Sequence, residues 1–319
     1  MKIALVGKAG ALNHWLEHAA GAWRADGHDV RRLIVRRPWL AEALERALAG
    51  PIAGMLRQRL TQFAPNLIIA VGAYHVPQAL LEAIAGVPGR APLIGWVGDV
   101  FGDDAAAKAG LYDLVAYTDR ALMARGFGGR SMHLPHAIDP RRAPPAVAFE
   151  SRDPRLLMVA NPTPLRRAVI AAVERPMVVR GPGWAPTEVA IHDIQAGRVP
   201  DRRVPALYGA HRAALNIRNE INVVSGLNQR NFEPCLAGAC LITDDQPDLS
   251  ACFEPGREVL AWKSPEELNA HYLRVLAEPA FAERVALAGQ ARVLAHHTYA
   301  HRLTALARAV GLPSPARRA

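Results

Sequence analysis

Arg230 and Glu233 stand three residues apart in the stretch from Gly226 to Asp245, which continues through the small-residue turn Ala237-Gly238-Ala239 into an apolar strand. A guanidinium can hold two phosphate oxygens in a planar fork, and a carboxylate can accept hydrogen bonds from both hydroxyls of a ribose. A helix entered here adds free amides and the positive end of its dipole. The three together suit an anionic nucleotide. Pro234 cannot occupy a mid-helix position, so the helix is predicted to begin at Glu233, and a helix-capping acid is the competing reading of that residue. Upstream, Gly181-Pro182-Gly183-Trp184 has glycines where backbone must approach closely, with Trp184 placed either to cover a base or to fill the core.

The first half has its own candidates. Gly95-Trp96-Val97-Gly98-Asp99 ends a predicted strand, and a carboxylate there, Asp99, can take a proton from an alcohol. Turn formation beside Asp103 and Asp104 is the alternative. His14, His75 and His136 are rival bases, with His14 the nearest contender. Gly7-Lys8-Ala9-Gly10 follows the first strand but matches neither a dinucleotide-binding nor a Walker pattern.

Positioning these groups requires alternating strands and helices. Apolar runs at Lys2 to Val6, Val30 to Val35, Leu67 to Val71, Leu93 to Val97, Leu114 to Tyr117 and Ser131 to Leu134 read as strands of a parallel sheet. Amphipathic stretches at Asn13 to Asp26, Trp39 to Phe63 and Pro77 to Ala85 read as its helices, the second interrupted at Gly50-Pro51. Charge and proline cluster from Asp139 to Pro154, the composition of an exposed linker. Beyond it, Leu156 to Ala160, Met177 to Arg180, Ala213 to Ile217, Cys240 to Thr243 and Val259 to Trp262 form a second strand set, with helices at Pro164 to Val173 and Arg202 to His211. From Ser264 the chain is helical: Ser264-Pro265-Glu266-Glu267 is a capped helix start, a second helix runs over Ala280 to Ala295, and Thr298 to Val310 has apolar residues at helical spacing.

The chain has 319 residues, half of them apolar, enough for two cores. No apolar run approaches the ~20 residues that span a bilayer, and the amino terminus reads as a strand rather than a signal peptide, so a cytoplasmic location is expected. Cys235, Cys240 and Cys252 sit in or beside apolar segments without metal-ligand spacing, which predicts buried, reduced thiols. The net charge of +9 is carried almost wholly by arginine, with only four lysines among 38 basic residues. Such a surface is compatible with a phosphorylated substrate or a peripheral contact with an acidic membrane face. Arg31, Arg32, Arg36 and Arg37 flank a strand without interleaved aromatics, so no dedicated nucleic-acid surface is expected.

Four passages, in order, resemble the group-1-like glycosyltransferases of the GT-B fold, and most closely the branch of CgeB spore-maturation proteins. They are His133-Leu134-Pro135-His136-Ala137-Ile138-Asp139, Gly181-Pro182-Gly183-Trp184, Arg230-Asn231-Phe232-Glu233 with Gly238-Ala239-Cys240, and Phe253-Glu254-Pro255-Gly256-Arg257-Glu258. Ser264-Pro265-Glu266-Glu267-Leu268 and His297-Thr298-Tyr299-Ala300-His301-Arg302 follow in the same order. The likeness covers residues 155 to about 305 by motif and the first half by pattern.

The resemblance implies an α/β protein of two Rossmann-like domains facing across a cleft, with C-terminal helices packing back toward the N-terminal domain. The expected division is 1–145 on the acceptor side, 155–297 binding a nucleotide sugar, and 298–319 as final helix and basic tail. It implies a metal-independent transfer of a sugar from a nucleoside diphosphate donor to a hydroxyl acceptor, with no tightly bound cofactor. The acceptor, whether glycan, lipid-linked glycan, protein or small molecule, is left open. Arg230 would neutralise the diphosphate, Glu233 would bind the ribose, and Arg166, with Arg167 its near equal, would make a further phosphate contact. Related enzymes often have a second Glu eight positions upstream of the ribose Glu; here that position is Ser225, and Asn222, Ser225 and Asn228 become neutral hydrogen-bonding candidates. A nucleotide-sugar epimerase of the same fold and a catalytically silent nucleotide-binding protein are the alternatives.

Overall fold

The computed structural model describes all residues except 9–12, 36–41, 103–107, 109, 127–128 and 316–319, and the side chains of 8, 13–14, 34–35 and 42–49 are likewise outside the description. The chain divides into two compact units, 1–134 with 299–319, and 135–298.

In the first unit, strands β1 (Lys2–Lys8), β2 (Asp29–Val35), β3 (Leu67–Val71), β4 (Leu93–Val97), β5 (Leu114–Tyr117) and β6 (Ser131–His133) form one sheet in the order β2-β1-β3-β4-β5-β6, parallel throughout. Every residue of β3, β4 and β5 is buried, because helices cover both faces of a parallel sheet and its strands must be apolar on both sides. The helices are α1 (Asn13–Ala25), α2 (Glu42–Phe63), α3 (Gln78–Ala85) and α4 (Arg120–Arg125). The break expected at Gly50-Pro51 does not occur: Pro51 lies inside α2, and the helix continues to Phe63. Leu56, Leu60 and Phe63, which recur at helical spacing after Pro51, are buried in the core. Burial of that stripe outweighs the one backbone hydrogen bond a proline forfeits. The expected start at Trp39 lies outside the described residues.

The second unit holds β7 (Leu157–Val159), α5 (Pro164–Ala171), β8 (Val178–Gly181), β9 (Asp193–Ala196), α6 (Val204–Gly209), β10 (Ala213–Asn216), α7 (Glu233–Leu236), β11 (Cys240–Asp244), α8 (Leu249–Cys252), β12 (Leu260–Trp262), α9 (Pro265–Ala277) and α10 (Pro279–His296). Its parallel sheet runs β12-β11-β10-β7-β8-β9. From β7 the chain winds outward through β8 to β9, then returns to lay β10 on the other side of β7. The strand order therefore reverses between β7 and β10, and in open parallel sheets the carboxyl ends at such a reversal are where ligands collect. β9 was not legible as a strand because Ile194 is its only buried residue; it is an edge strand held by its ladder to β8.

The proline-rich stretch belongs to the second unit, where Pro140–Arg142 and Phe149–Ser151 form 3-10 turns; Asp139 caps the first and Phe149 is buried in the second. The last helix, α11 (Tyr299–Ala309), belongs to the first unit. Trp23 Nε1 on α1 donates to the Tyr299 carbonyl at 2.8 Å, and Arg130 donates to that of Ala309 at 2.7 Å. Helices α9 and α10 remain with the second sheet. All three cysteines are free and buried, and burial raises the Cys240 thiol to about 12, which keeps it protonated and inert. Among the described residues no helix is long and apolar enough to cross a membrane.

Candidate functional site

The second unit gathers its candidate side chains at the reversal between β7 and β10. Arg230 lies in a 3-10 turn, Gln229–Asn231, whose cap is Asn228: the Asn228 side chain accepts from the Arg230 amide at 2.8 Å. Asn231, 2 % exposed, pins this turn to the sheet, donating to Thr243 Oγ1 at 2.9 Å and accepting from Asn216 Nδ2 at 2.9 Å. Held there, Arg230 donates Nη1 to the carbonyl of Val159, the last residue of β7, at 2.7 Å. Arg166 comes from α5 and spans the same edge, with Nε and Nη2 on the Ile217 carbonyl at 3.1 and 2.9 Å and Nη1 on that of Asn161 at 2.9 Å. Both guanidiniums thus sit over the carboxyl ends of β7 and β10.

The electrostatics place them together. Burial, and after it the charge of Arg230, lower the Arg166 guanidinium to about 10, so it remains cationic at neutral pH. Tyr208, fully enclosed, is pushed well above its ordinary value by burial; Arg230 and Arg166 oppose that rise while Glu233 adds to it. One hydroxyl therefore feels Arg230, Glu233 and Arg166 at once. Two confined cations that repel each other are stabilised by a bound anion, and a diphosphate supplies one.

Glu233 opens α7 as its first residue, half-buried, with Pro234 behind it as expected. The dipole expected at that helix start is small, because α7 has only four residues and few aligned peptides. The longer helix α5 has its amino end occupied: Thr163 caps it, and Glu220 accepts from Thr163 Oγ1 at 2.7 Å and from the Leu165 amide at 3.0 Å. The groups left at this edge that could take an anion are therefore the side-chain cations. Burial alone would raise the Glu220 carboxyl, but hydrogen bonds from Thr163 and Leu165, with Arg166 nearby, bring it below the usual glutamate range.

Replacing Thr163 by Val removes cap and clamp together and is expected to cost ~1 kcal/mol, about 3 °C in melting temperature. Because the folded carboxyl is depressed, this stabilisation is complete above the unfolded value. The wild type and T163V should therefore differ constantly above about pH 5, and the difference should narrow to the share of the helix cap as acid protonates Glu220, as melts recorded across pH would report.

Other candidates from the sequence are placed differently. Trp184 belongs to the core, 3 % exposed, with Nε1 donating to the Ala160 carbonyl at 2.7 Å, so its ring packs the sheet and does not offer a face to a base. A tryptophan after a glycine turn is equally legible as either, and only the path of β8 decides. Ser225 is buried, its hydroxyl turned to Asp248 at 3.3 Å. Arg167 reaches Glu188 and lies over the Trp184 ring on the outer face of α5, so Arg166 is the arginine at the edge. Sequence reasoning passed over Glu220, Arg218 and Asn216. Arg218 follows β10 and faces Asp244, its amide donating to Oδ1 at 3.1 Å. Burial raises the Asp244 carboxyl against the pull of Arg218 and Arg166. Their common signal is position: all lie within four residues of a strand's carboxyl end.

In the first unit, Asp99 lies just beyond β4 and accepts from Tyr74 Oη at 2.8 Å. Tyr74 stands in the 3-10 turn after β3, Ala73–His75, and Lys108 donates to its carbonyl at 2.7 Å. Burial, with the neighbouring Asp99 charge, pushes the tyrosine hydroxyl far above its ordinary value, so it remains a donor to the carboxylate. His75 is exposed with its ring 4.2 Å from that of Tyr74, which puts it on the same edge as Asp99. His136 is buried in the second unit, while the His14 side chain, Asp103 and Asp104 lie outside the described residues.

A family model described as glycosyl transferase-like matches residues 164–308, a little under half of the chain. No curated protein matches by sequence. Among solved structures, HepE of Anabaena in complex with UDP and glucose is similar at 13% identity and a TM-score of 0.69, over 97% of this chain and 98% of that one. A sucrose-phosphate synthase of Thermosynechococcus elongatus is similar at 12% identity and a TM-score of 0.65, over 97% and 98%. A putative UDP-N-acetylglucosamine 2-epimerase of Listeria monocytogenes is similar at 9% identity and a TM-score of 0.62, over the whole of both chains. Two parallel six-stranded sheets, each with its helices, and these likenesses identify the fold as that of the GT-B glycosyltransferases, built from two Rossmann-like domains.

Proposed function

We propose that this protein transfers a sugar from a nucleoside diphosphate donor to a hydroxyl acceptor, as a metal-independent, CgeB-like glycosyltransferase. The convergence of Arg166 and Arg230 over the carboxyl ends of β7 and β10, three residues before Glu233, carries the reading. HepE complexes with UDP and with UDP-glucose support a uridine donor as the first to test. Arg230 and Arg166 bind the diphosphate, Glu233 accepts from the ribose hydroxyls, and Asn228 orders the turn that carries Arg230.

In the reaction, the bond from the anomeric carbon to the diphosphate oxygen breaks and one to the acceptor oxygen forms. Negative charge grows on the leaving diphosphate, and guanidiniums fixed in advance stabilise it without reorganising. Asp99 takes the acceptor proton, with Tyr74 orienting its carboxylate. The isosteric D99N variant is expected to lower kcat by about 10²–10³-fold with donor affinity unchanged, since only the transition state uses the base. Steady-state kinetics beside donor calorimetry checks this, and weakened donor binding would move Asp99 out of the role.

A melting-temperature screen across UDP, GDP, dTDP and ADP sugars, followed by product analysis in chelator, tests the function itself. A glycosylated acceptor formed in chelator is the expected product. A free sugar isomer would favour the epimerase reading, in line with the Listeria likeness, and binding without turnover or donor hydrolysis would favour a silent nucleotide-binding protein.

A further inference from the structure

A second concentration of cations lies in the first unit, on the open edge of its sheet. Arg24 in the last turn of α1, Arg31 and Arg32 on the edge strand β2, and Arg59 near the end of α2 line a groove of about 410 Å³, with Val30, Leu33 and Gln62 as its other walls. None of the described residues that line it is acidic. Strand register sets Val30 to Leu33 level with Ile3 to Val6, on the amino-terminal side of the sheet, whereas Asp99 lies beyond the carboxyl end of β4.

Two of these arginines have structural work: Arg24 donates to the Val30 carbonyl and so blunts the edge strand, and Arg32 pairs with Glu17. That accounts for neither Arg31 nor Arg59. The Arg31 guanidinium rests 4.3 Å from the ring centroid of the buried Phe63, and a second cation, Lys2 Nζ, lies 5.8 Å from the same centroid. A cation–π contact holds the guanidinium without consuming an N–H, so its donors stay available to a ligand. No described residue forms an ion pair with Arg31 or Arg59.

We propose that this groove is an anion site distinct from Arg166 and Arg230, taking a small ligand with two or more phosphate groups. Shape chooses the ligand class. The volume lies within the roughly 300–1,000 Å³ of small-molecule sites, and a concave slot admits a compact polyanion that a plane of lipid headgroups cannot follow. Single-stranded nucleic acid is disfavoured because no described residue lining the groove is aromatic, and the neighbouring Phe63 is buried beneath Arg31 and cannot stack a base.

Inorganic tripolyphosphate serves as the probe, added to the full chain carrying R230Q so that the proposed donor site is weakened. Its melting temperature is expected to rise by about 5 °C at saturation in 150 mM salt, and the rise should vanish when R31Q and R59Q are added. Both residues are exposed, so the added substitutions should leave the unliganded melt within 1–2 °C. Titrating R31Q/R59Q with Arg230 intact reads the donor site separately, so failure of either site is distinguishable. A shift that survives R31Q/R59Q, or one seen only at low salt, overturns the proposal. So does finding that phosphatidylglycerol vesicles or a single-stranded oligonucleotide bind through Arg31 and Arg59 while tripolyphosphate does not.

Discussion

Substituting Gln for Arg230 is expected to lower kcat/KM for the nucleotide-sugar donor by about 10²–10³-fold, the usual cost of removing one preorganised group from a developing anion. Arg230 is a cleaner probe than Arg166. Its side chain contributes one described hydrogen bond to the fold, to Val159, and the residue is half-exposed. Arg166 is buried and ties Asn161 to Ile217 through three, so its loss would loosen β7 from β10 and confound binding with stability. R230Q should melt within about 3 °C of wild type, consistent with ~1 kcal/mol for one hydrogen bond. The companion E233A should raise donor KM by about 10–100-fold and abolish the preference for ribo- over 2′-deoxyribonucleotides, because only a carboxylate facing the diol senses the missing hydroxyl. Calorimetry with both nucleotide series checks this. Undiminished donor affinity in R230Q, or retained sugar discrimination in E233A, would remove the nucleotide from this edge.

Gly181 is where the backbone has least freedom. It closes β8 with φ of +153°, and a Cβ built on it would stand 2.1 Å from the Ala160 carbonyl oxygen and 2.8 Å from its carbon. Those are backbone atoms at the end of β7, so relief requires parting the two strands. G181A is therefore expected to cost about 3–5 kcal/mol and lower the melting temperature by ~10 °C or more. Gly197 is the control: its φ is +111°, and a Cβ added there would meet nothing within 4 Å. G197A isolates the conformational cost, roughly 1–2 kcal/mol, and the difference between the variants is the steric part. Urea melts of both provide the comparison; a G181A midpoint equal to that of G197A would mean that the clash relaxes freely. The Asn161 carbonyl on Arg166 and the Trp184 indole on Ala160 both adjoin this contact, so G181A should also weaken donor binding.

Most of both sheets can be read from the order of residues, since a parallel strand covered on two faces must be a continuous apolar run. Leu67–Val71, Leu93–Val97 and Leu114–Tyr117 are legible to the residue for that reason. The Ser264 cap before Pro265, the helix start at Glu233 and the buried thiols were equally readable, because each depends on near neighbours or on the residue's own chemistry. Only the fold set what depends on distant partners. It carried α2 through Pro51, buried Trp184, gave α11 to the first unit and made Asp193–Ala196 a strand by pairing it with β8. It also chose Arg166 over Arg167, through a carbonyl 51 positions away, and brought Arg230 to Val159 across 71. Periodicity records which face of an element is apolar. Which elements become neighbours, and so which charges share one strand edge, follows from the order in which the chain winds its strands into a sheet.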